Sequence, residues 1–116
     1  MYKLVVVAGK LRGQSFELAE GENIVGRDDE CDVVVTVEGV SKKHMSITVT
    51  GDVAFVKDLG SSNGTFLNGK IIKSGTVKNK DRITLPDTIL QVVYVKEKKI
   101  IIKKKADSDE DEREDL

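Results

Sequence analysis

Residues 44–57, HMSITVTGDVAFVK, decide the fold class. The run His44–Thr50 alternates apolar and polar side chains, which is the pattern of a half-buried β-strand. Gly51 and Asp52 separate this run from a second one, Val53–Lys57, and the spacing is typical of a tight hairpin turn. A pair of antiparallel strands is therefore predicted at the centre of the chain.

The same pattern of short apolar runs and turn residues continues in both directions. Val and Ile together account for 25 residues, whereas Leu and Ala account for 12, and β-branched side chains fit a pleated sheet better than a helix. No segment keeps a helical period for more than a turn or two. The nine predicted strands are Lys3–Ala8, Ser15–Leu18, Asn23–Gly26, Val33–Thr36, His44–Thr50, Val53–Lys57, Phe66–Leu67, Arg82–Leu85 and Ile89–Val95, with Pro86-Asp87 as the last hairpin turn. Strands at this spacing predict an all-β sandwich with loops gathered at its ends.

The formal net charge of −1 hides three differently charged segments. Residues 1–95 hold twelve basic and twelve acidic side chains, residues 96–105 hold six Lys and one Glu, and residues 107–115 hold seven acids and one Arg. A block of like charge at one end of a chain is typical of an arm or linker. We therefore predict a sandwich domain over 1–97, a Lys/Ile-rich last strand or arm over 98–105, and a disordered acidic tail over 106–116.

Composition excludes several functional classes. No apolar run is long enough for a membrane span, and the apolar run near Met1 is too short for a signal peptide. The single Cys31 forms no internal disulfide and is expected to be a small buried residue, so a cytoplasmic location is predicted, or a nuclear one in a eukaryote. One Cys and one His build no structural zinc site, and we expect neither metal nor cofactor. The sequence shows neither a nucleophile with a neighbouring base nor a pair of carboxylates on a shared framework, so no enzymatic activity is predicted.

Three loops carry the polar side chains that a ligand would contact. They are Gly26-Arg27, residues 39–44, and residues 58–65 followed by Asn68-Gly69. Arg27 offers a planar fork of donors whose charge is permanent, and Ser41 and Ser62 offer hydroxyls. Loops that hold such groups between apolar strands are candidate binding loops.

The remaining groups in these loops complement an anion on a peptide. Gly60 and Gly64 are expected to let backbone N–H groups form an anion-binding nest, and Lys42 adds a point charge. Asn63 both donates and accepts, which suits a peptide main chain. Together these groups favour a phosphate attached to a peptide. The alternative is that the Ser and Gly residues only turn the chain.

The order and spacing of these motifs resemble the forkhead-associated (FHA) domain family over roughly residues 3–95. The resemblance rests on Gly26-Arg27, Ser41-x-x-His44 after 13 intervening residues, Asn63-Gly64-Thr65 and Asn68-Gly69. It implies a β-sandwich of about eleven short strands that binds phosphothreonine peptides through loops at one end. The implied partners are phosphothreonine proteins of Ser/Thr kinase pathways, and a monomeric adaptor module is expected.

The resemblance also implies a role for each motif residue. Arg27 and Ser41 would bind the phosphate, with Lys42 as a second cation and Ser62 as a further donor, and Asn63 would bind the peptide main chain. His44, Gly26, Gly64 and Thr65 would support the site without contacting the ligand. Gly39 stands where some members place an Arg that selects the third residue after the phosphothreonine, so that selection must be weak here or come from elsewhere.

Three alternatives concern the chain after the sandwich. Ile100-Ile101-Ile102 could seed a phosphate-independent protein interface or an oligomer. The Lys-rich segment 96–105 could contact nucleic acid phosphates. The zero net charge of residues 1–95, the acidic tail and the presence of only five aromatic residues argue against this. The acidic tail could also fold back onto the cationic loops and compete with a phosphopeptide.

Overall fold

The computed structural model describes residues 1–96, and in that part of the chain eleven β-strands and no helix are present. The all-β prediction is therefore confirmed, and the strand number agrees with the family resemblance. The strands are β1 Tyr2–Gly9, β2 Ser15–Glu17, β3 Gly21–Gly26, β4 Val33–Val34, β5 Met45–Thr50, β6 Val53–Asp58, β7 Thr65–Leu67, β8 Lys70–Ile72, β9 Ser74–Val77, β10 Arg82–Leu85 and β11 Thr88–Tyr94.

The strands form two sheets. One sheet has six strands in the order β2-β1-β11-β10-β7-β8, and the other has five in the order β4-β3-β5-β6-β9. All the paired strands run antiparallel except β3 and β4, which are parallel. The longest pairing joins the two ends of the described chain, with Tyr2 opposite Tyr94 and Gly9 opposite Thr88.

The core lies between the sheets and follows the predicted alternation. In the central β5–β6 pair, Ile47 lies opposite Val56 and both are fully buried, whereas Thr48 lies opposite Phe55 on the outer face. Each such aliphatic side chain contributes about 1.5–3 kcal/mol when it is buried. The six-stranded sheet faces this layer with Leu4, Ile83 and Leu90. The buried side chains thus fix which face of each sheet turns inward.

The nine predicted strands are all present, with ends that differ by at most two residues. The turns at Gly51-Asp52 and Pro86-Asp87 are also confirmed, because Thr50 pairs with Val53 and Leu85 with Thr88. Two strands are additional to that list, β8 and β9. They are short edge strands with mostly exposed side chains, so they give no apolar alternation to detect.

Two further expectations have different outcomes. Cys31 is only partly buried, so the prediction of a buried residue is wrong; its thiol lies at the surface of the β3–β4 connection and donates a weak hydrogen bond to the Lys42 carbonyl. The segment 98–105, the acidic tail 106–116 and the run Ile100–Ile102 lie outside the described residues.

The loops that carry the candidate site residues meet at one end of the sandwich. Val25 pairs with Met45, and Met45 pairs with Asp58. The end of β3, the start of β5 and the end of β6 therefore lie at the same end of the sandwich. The β10–β11 turn reaches the same end, where Pro86 lies against Gly39. In residues 1–96 there is no helix with the length and apolar character that crossing a membrane requires.

Two buried threonines differ in how their hydroxyls are satisfied. The Thr88 hydroxyl is the one buried side-chain polar group of residues 1–96 without a hydrogen-bond partner, whereas the Thr65 hydroxyl donates to Asp58 at 2.6 Å. Burying an unpartnered hydroxyl costs free energy, and removing a bonded one leaves its partner unsatisfied.

Replacing Thr88 by Val should therefore leave the stability unchanged or raise it by about 1 kcal/mol. The same change at Thr65 should lower it by about 1–3 kcal/mol. Urea unfolding of both variants measures the difference, and a Thr88→Val variant less stable than the Thr65→Val variant would contradict this account.

Candidate functional site

A surface cavity of about 570 Å³ opens between the loops at this end of the sandwich. Four of the five residues expected to contact ligand line it, namely Arg27, Ser41, Ser62 and Asn63. Lys42 is exposed and does not line the cavity. The remaining wall is the segment Thr36–Val40, which connects β4 to the Ser41 loop.

Arg27 follows the last residue of β3, where the strand lies unusually close to the neighbouring loop. Its backbone N–H donates to the Ser41 carbonyl at 3.0 Å, and the backbone N–H of Asp28 donates to the Lys42 carbonyl at 3.3 Å. A Cβ atom at Gly26 would overlap the Lys42 carbonyl oxygen, so only glycine permits this approach. Gly26 therefore sets the distance between Arg27 and Ser41.

The Arg27 side chain is held by one of its donors and leaves the others available. Its Nε donates to the Val40 carbonyl at 2.9 Å, and this is the only hydrogen bond that the side chain makes within residues 1–96. The side chain is exposed and lines the cavity, so its terminal amino groups can form a forked pair of hydrogen bonds with an oxyanion.

Two hydrogen bonds join the loops on either side of the cavity. The Ser62 N–H donates to Ser41 Oγ at 3.0 Å, so the Ser41 hydroxyl keeps its own proton for another acceptor. Asn63 Nδ2 donates to the Gly39 carbonyl at 2.8 Å. The loop that contains Ser62 and Asn63 is thus joined to the Gly39–Ser41 segment before any ligand binds.

His44 lies fully buried beneath the cavity and connects the same two loops. Its Nδ1 accepts from the Ser41 N–H at 3.1 Å, and Nε2 lies 2.8 Å from the Gly64 carbonyl oxygen. Since a backbone N–H only donates and a carbonyl only accepts, the ring carries its proton on Nε2. His44 thus joins the Ser41 segment to the Gly64 segment, and its supporting role for a bound ligand stays a prediction.

Asp58 holds the third loop, although it is not among the site residues predicted from the sequence. Its carboxylate accepts from the hydroxyls of Ser61 and Thr65, each at 2.6 Å, and from the N–H groups of Gly60 and Ser61 at 3.0 and 3.1 Å. The signal was present, since an Asp that ends a strand two residues before a Gly is typical of a side-chain-to-backbone turn.

The expected anion-binding nest at Gly60 and Gly64 is wrong. The Gly60 N–H donates to Asp58, and the Gly64 N–H donates to Ser61 Oγ at 2.9 Å, so both groups are used inside the loop. Gly64 is required for another reason. Its φ of +88° lies in the left-handed region, and a Cβ there would meet Ile71 at 3.0 Å.

The described residues hold no group of three or more His, Cys, Asp or Glu side chains that could bind a metal ion. At the cavity wall, Arg27 supplies a permanent cation, and Ser41, Ser62 and Asn63 supply hydrogen-bonding groups.

The sequence profile of the FHA domain family matches residues 23–86, a span that includes all nine site residues predicted from the sequence. The chain belongs to the FHA domain family. The relatives of this FHA domain include the FHA domain-containing protein FhaA of Mycobacterium tuberculosis, at 36% identity over 73 residues, or 63% of this chain and 14% of FhaA. The oxoglutarate dehydrogenase inhibitor of Corynebacterium jeikeium is 33% identical over 82 residues, or 71% of this chain and 57% of that protein.

Solved FHA domains have the same fold. One structure, from a study of phosphothreonine-dependent FHA domain interactions, superposes with a TM-score of 0.76 at 31% identity and covers 81% of this chain and 96% of its own. The FhaA FHA domain in complex with the intracellular domain of Rv3910 superposes with a TM-score of 0.74 at 32% identity and covers 79% and 99%. The matched part is thus nearly the whole of each solved domain but a small part of full-length FhaA.

The hydrogen bonds to Asp58 make the stability of this FHA domain depend on pH. Burial raises the pKa of the carboxyl group, but the hydrogen bonds from Ser61, Thr65 and Gly60 outweigh burial and leave the pKa below its ordinary value of 3.8. A lowered pKa means that the stabilisation is present above that ordinary value and is lost as the pH falls through the lowered one.

Replacing Asp58 by Asn should therefore lower the free energy of unfolding by about 1–3 kcal/mol at neutral pH. The difference from the original protein should shrink as the pH falls below 3.8. Urea unfolding over a pH series measures this, with Asp52→Asn, a change at an exposed carboxylate, as the control. A difference that stays constant through the acid range would show that the carboxylate charge is not what holds the loop.

Proposed function

We propose that this FHA domain binds phosphothreonine in a partner protein through the cavity between its loops. One observation carries the proposal: Arg27 is held at Nε by Val40 while its other donors remain available beside the Ser41 hydroxyl. A fork of charged donors next to a hydroxyl matches the oxygens of a phosphate group.

The remaining residues divide the recognition between them. Arg27 and Ser41 bind the phosphate, and the Ser62 hydroxyl adds a donor from the opposite loop. Asn63 binds the peptide main chain beside the phosphothreonine, either with its free amide oxygen or by exchanging its bond to Gly39. Lys42 acts as a nearby point charge in solvent and not as a wall of the cavity, which makes it the weakest contributor to affinity.

The similar proteins support an adaptor role in Ser/Thr kinase signalling. The FhaA FHA domain has been crystallised with the intracellular domain of Rv3910, and Mycobacterium tuberculosis EmbR, which is 26% identical over the matched region, has been solved with a phosphopeptide. We propose that this FHA domain recruits a phosphorylated cytoplasmic partner and performs no covalent step itself.

Binding should depend on Arg27 and on the phosphate together. Replacing Arg27 by Ala should weaken binding of a phosphothreonine peptide at least tenfold, because a charge-assisted phosphate contact contributes about 1.5–3 kcal/mol. Oriented phosphothreonine and phosphoserine peptide libraries identify the probe peptide, and fluorescence anisotropy then measures its affinity.

The matched control is Arg82→Ala, which removes an exposed arginine from the six-stranded sheet at the other end of the sandwich. It should leave the affinity unchanged. Equal binding of the peptide before and after dephosphorylation would refute the mechanism, and it would favour a phosphate-independent interaction surface.

A further inference from the structure

Two further cavities lie on the other side of the loop that contains Ser62 and Asn63. The first, of about 430 Å³, is lined by both of these residues and by Ile71 and Lys73. The second, of about 460 Å³, is lined by Phe55, Lys57 and Lys73. Lys73 and Asp58 line both cavities, which are therefore neighbours, and we name the two together the Lys57–Lys73 groove after their two cations.

The groove is continuous with the candidate phosphothreonine site. Ser62 and Asn63 line the 570 Å³ cavity on one side and the 430 Å³ cavity on the other. A peptide held at Asn63 therefore has only this loop to cross before its flanking residues reach the groove. The two surfaces can contact a single extended segment.

The backbone holds both lysines at the binding end of the sandwich. Lys57 lies one residue before the end of β6 and pairs with Ser74 of β9. Lys73, which joins β8 to β9, accepts a hydrogen bond at its carbonyl from the Asp58 N–H at 2.8 Å. The two residues are thus neighbours across the β6–β9 pair, and neither is carried by a long loop.

The lysines of the groove have no carboxylate partner among residues 1–96. The one acidic residue lining the groove is Asp58, and both of its oxygens already accept hydrogen bonds from the β6–β7 loop. The two ammonium groups and the single Asp58 carboxylate leave the groove with a net charge of +1 in a domain whose acids and bases are equal in number, which marks a local positive surface.

Two large apolar side chains in the lining of the groove are exposed to solvent. Ile71 is 66% exposed and Phe55 is 42% exposed, and both belong to the small set of large apolar side chains that residues 1–96 leave in solvent. An apolar wall beside an ammonium group excludes water and strengthens its attraction for an anion. The combination favours a peptide segment over a free ion.

We propose that the Lys57–Lys73 groove binds an anionic side chain that flanks the phosphothreonine in the same partner segment. The anion is a carboxylate or a second phosphate, which present the same oxygen acceptors to the two ammonium groups. This inference rests on the proposed phosphothreonine function, because the first contact places the flanking residues beside the groove.

The experiment moves one acidic residue along a phosphothreonine peptide. The parent peptide carries neutral flanks, and in the series a single Asp, or in a second arm a single phosphoserine, occupies each flanking position in turn. Fluorescence anisotropy against the full chain should find a position where Asp raises affinity about twofold to fivefold, in the range of exposed ion pairs, and where the gain falls with salt. Phosphoserine should give a larger gain there, because it carries nearly two charges.

The double variant Lys57→Gln/Lys73→Gln should remove this gain and leave the affinity for the neutral parent peptide unchanged. The matched control is Lys78→Gln/Lys80→Gln, which makes the same change in charge after β9, at the far end of that strand, and should keep the gain. Persistence of the gain in the first variant, or no favoured position in either arm, would overturn the inference. If instead the neutral parent peptide fails to bind, or binds equally to the Arg27→Ala variant, then the proposed function itself has failed.

Discussion

The binding end of this sandwich depends on the position of one buried imidazole. His44 accepts a hydrogen bond from the Ser41 N–H and donates one to the Gly64 carbonyl, and these opposite requirements admit a single neutral tautomer. The ring therefore fixes the separation between the Ser41 segment and the loop that carries Asn63. A change in its contacts would move both walls of the cavity, although the ring itself is buried and lies away from ligand.

The loops are ordered by their own hydrogen bonds, which has a consequence for affinity. Ser62 is hydrogen-bonded to Ser41, and Asn63 is hydrogen-bonded to Gly39. The carboxylate of Asp58 accepts hydrogen bonds from the N–H groups of the turn that precedes Ser62. The entropy of ordering these loops is therefore lost during folding and not at the moment of binding. Arg27, Ser41, Ser62 and Asn63 line the cavity and keep their positions through these bonds, so the proposed site is arranged before any ligand binds.

Most of the fold could be predicted from sequence because its strands are half-buried. Met45, Ile47 and Val49 of β5 and Ala54 and Val56 of β6 enter the core, and a shift of one residue would expose these side chains, so the pattern specifies both strand and register. The edge strands β8 and β9 bury little and leave no such pattern. The turn before β8 does indicate this strand. Asn68-Gly69, both at positive φ, is a strong hairpin signal, but it is independent of apolar alternation.

The site was less predictable, because residue type indicates which groups can bind an anion but not which remain unpaired. By residue type, the N–H groups of Gly60 and Gly64 could bind an anion, but in the structure they donate to Asp58 and to the Ser61 hydroxyl. Such pairing depends on distances between loops, which no local pattern encodes. The same reasoning applies to charge. Residues 1–95 have equal numbers of acids and bases and exert little attraction on anions at long range, so the proposed recognition depends on where single cations lie, and Arg27 lines the cavity.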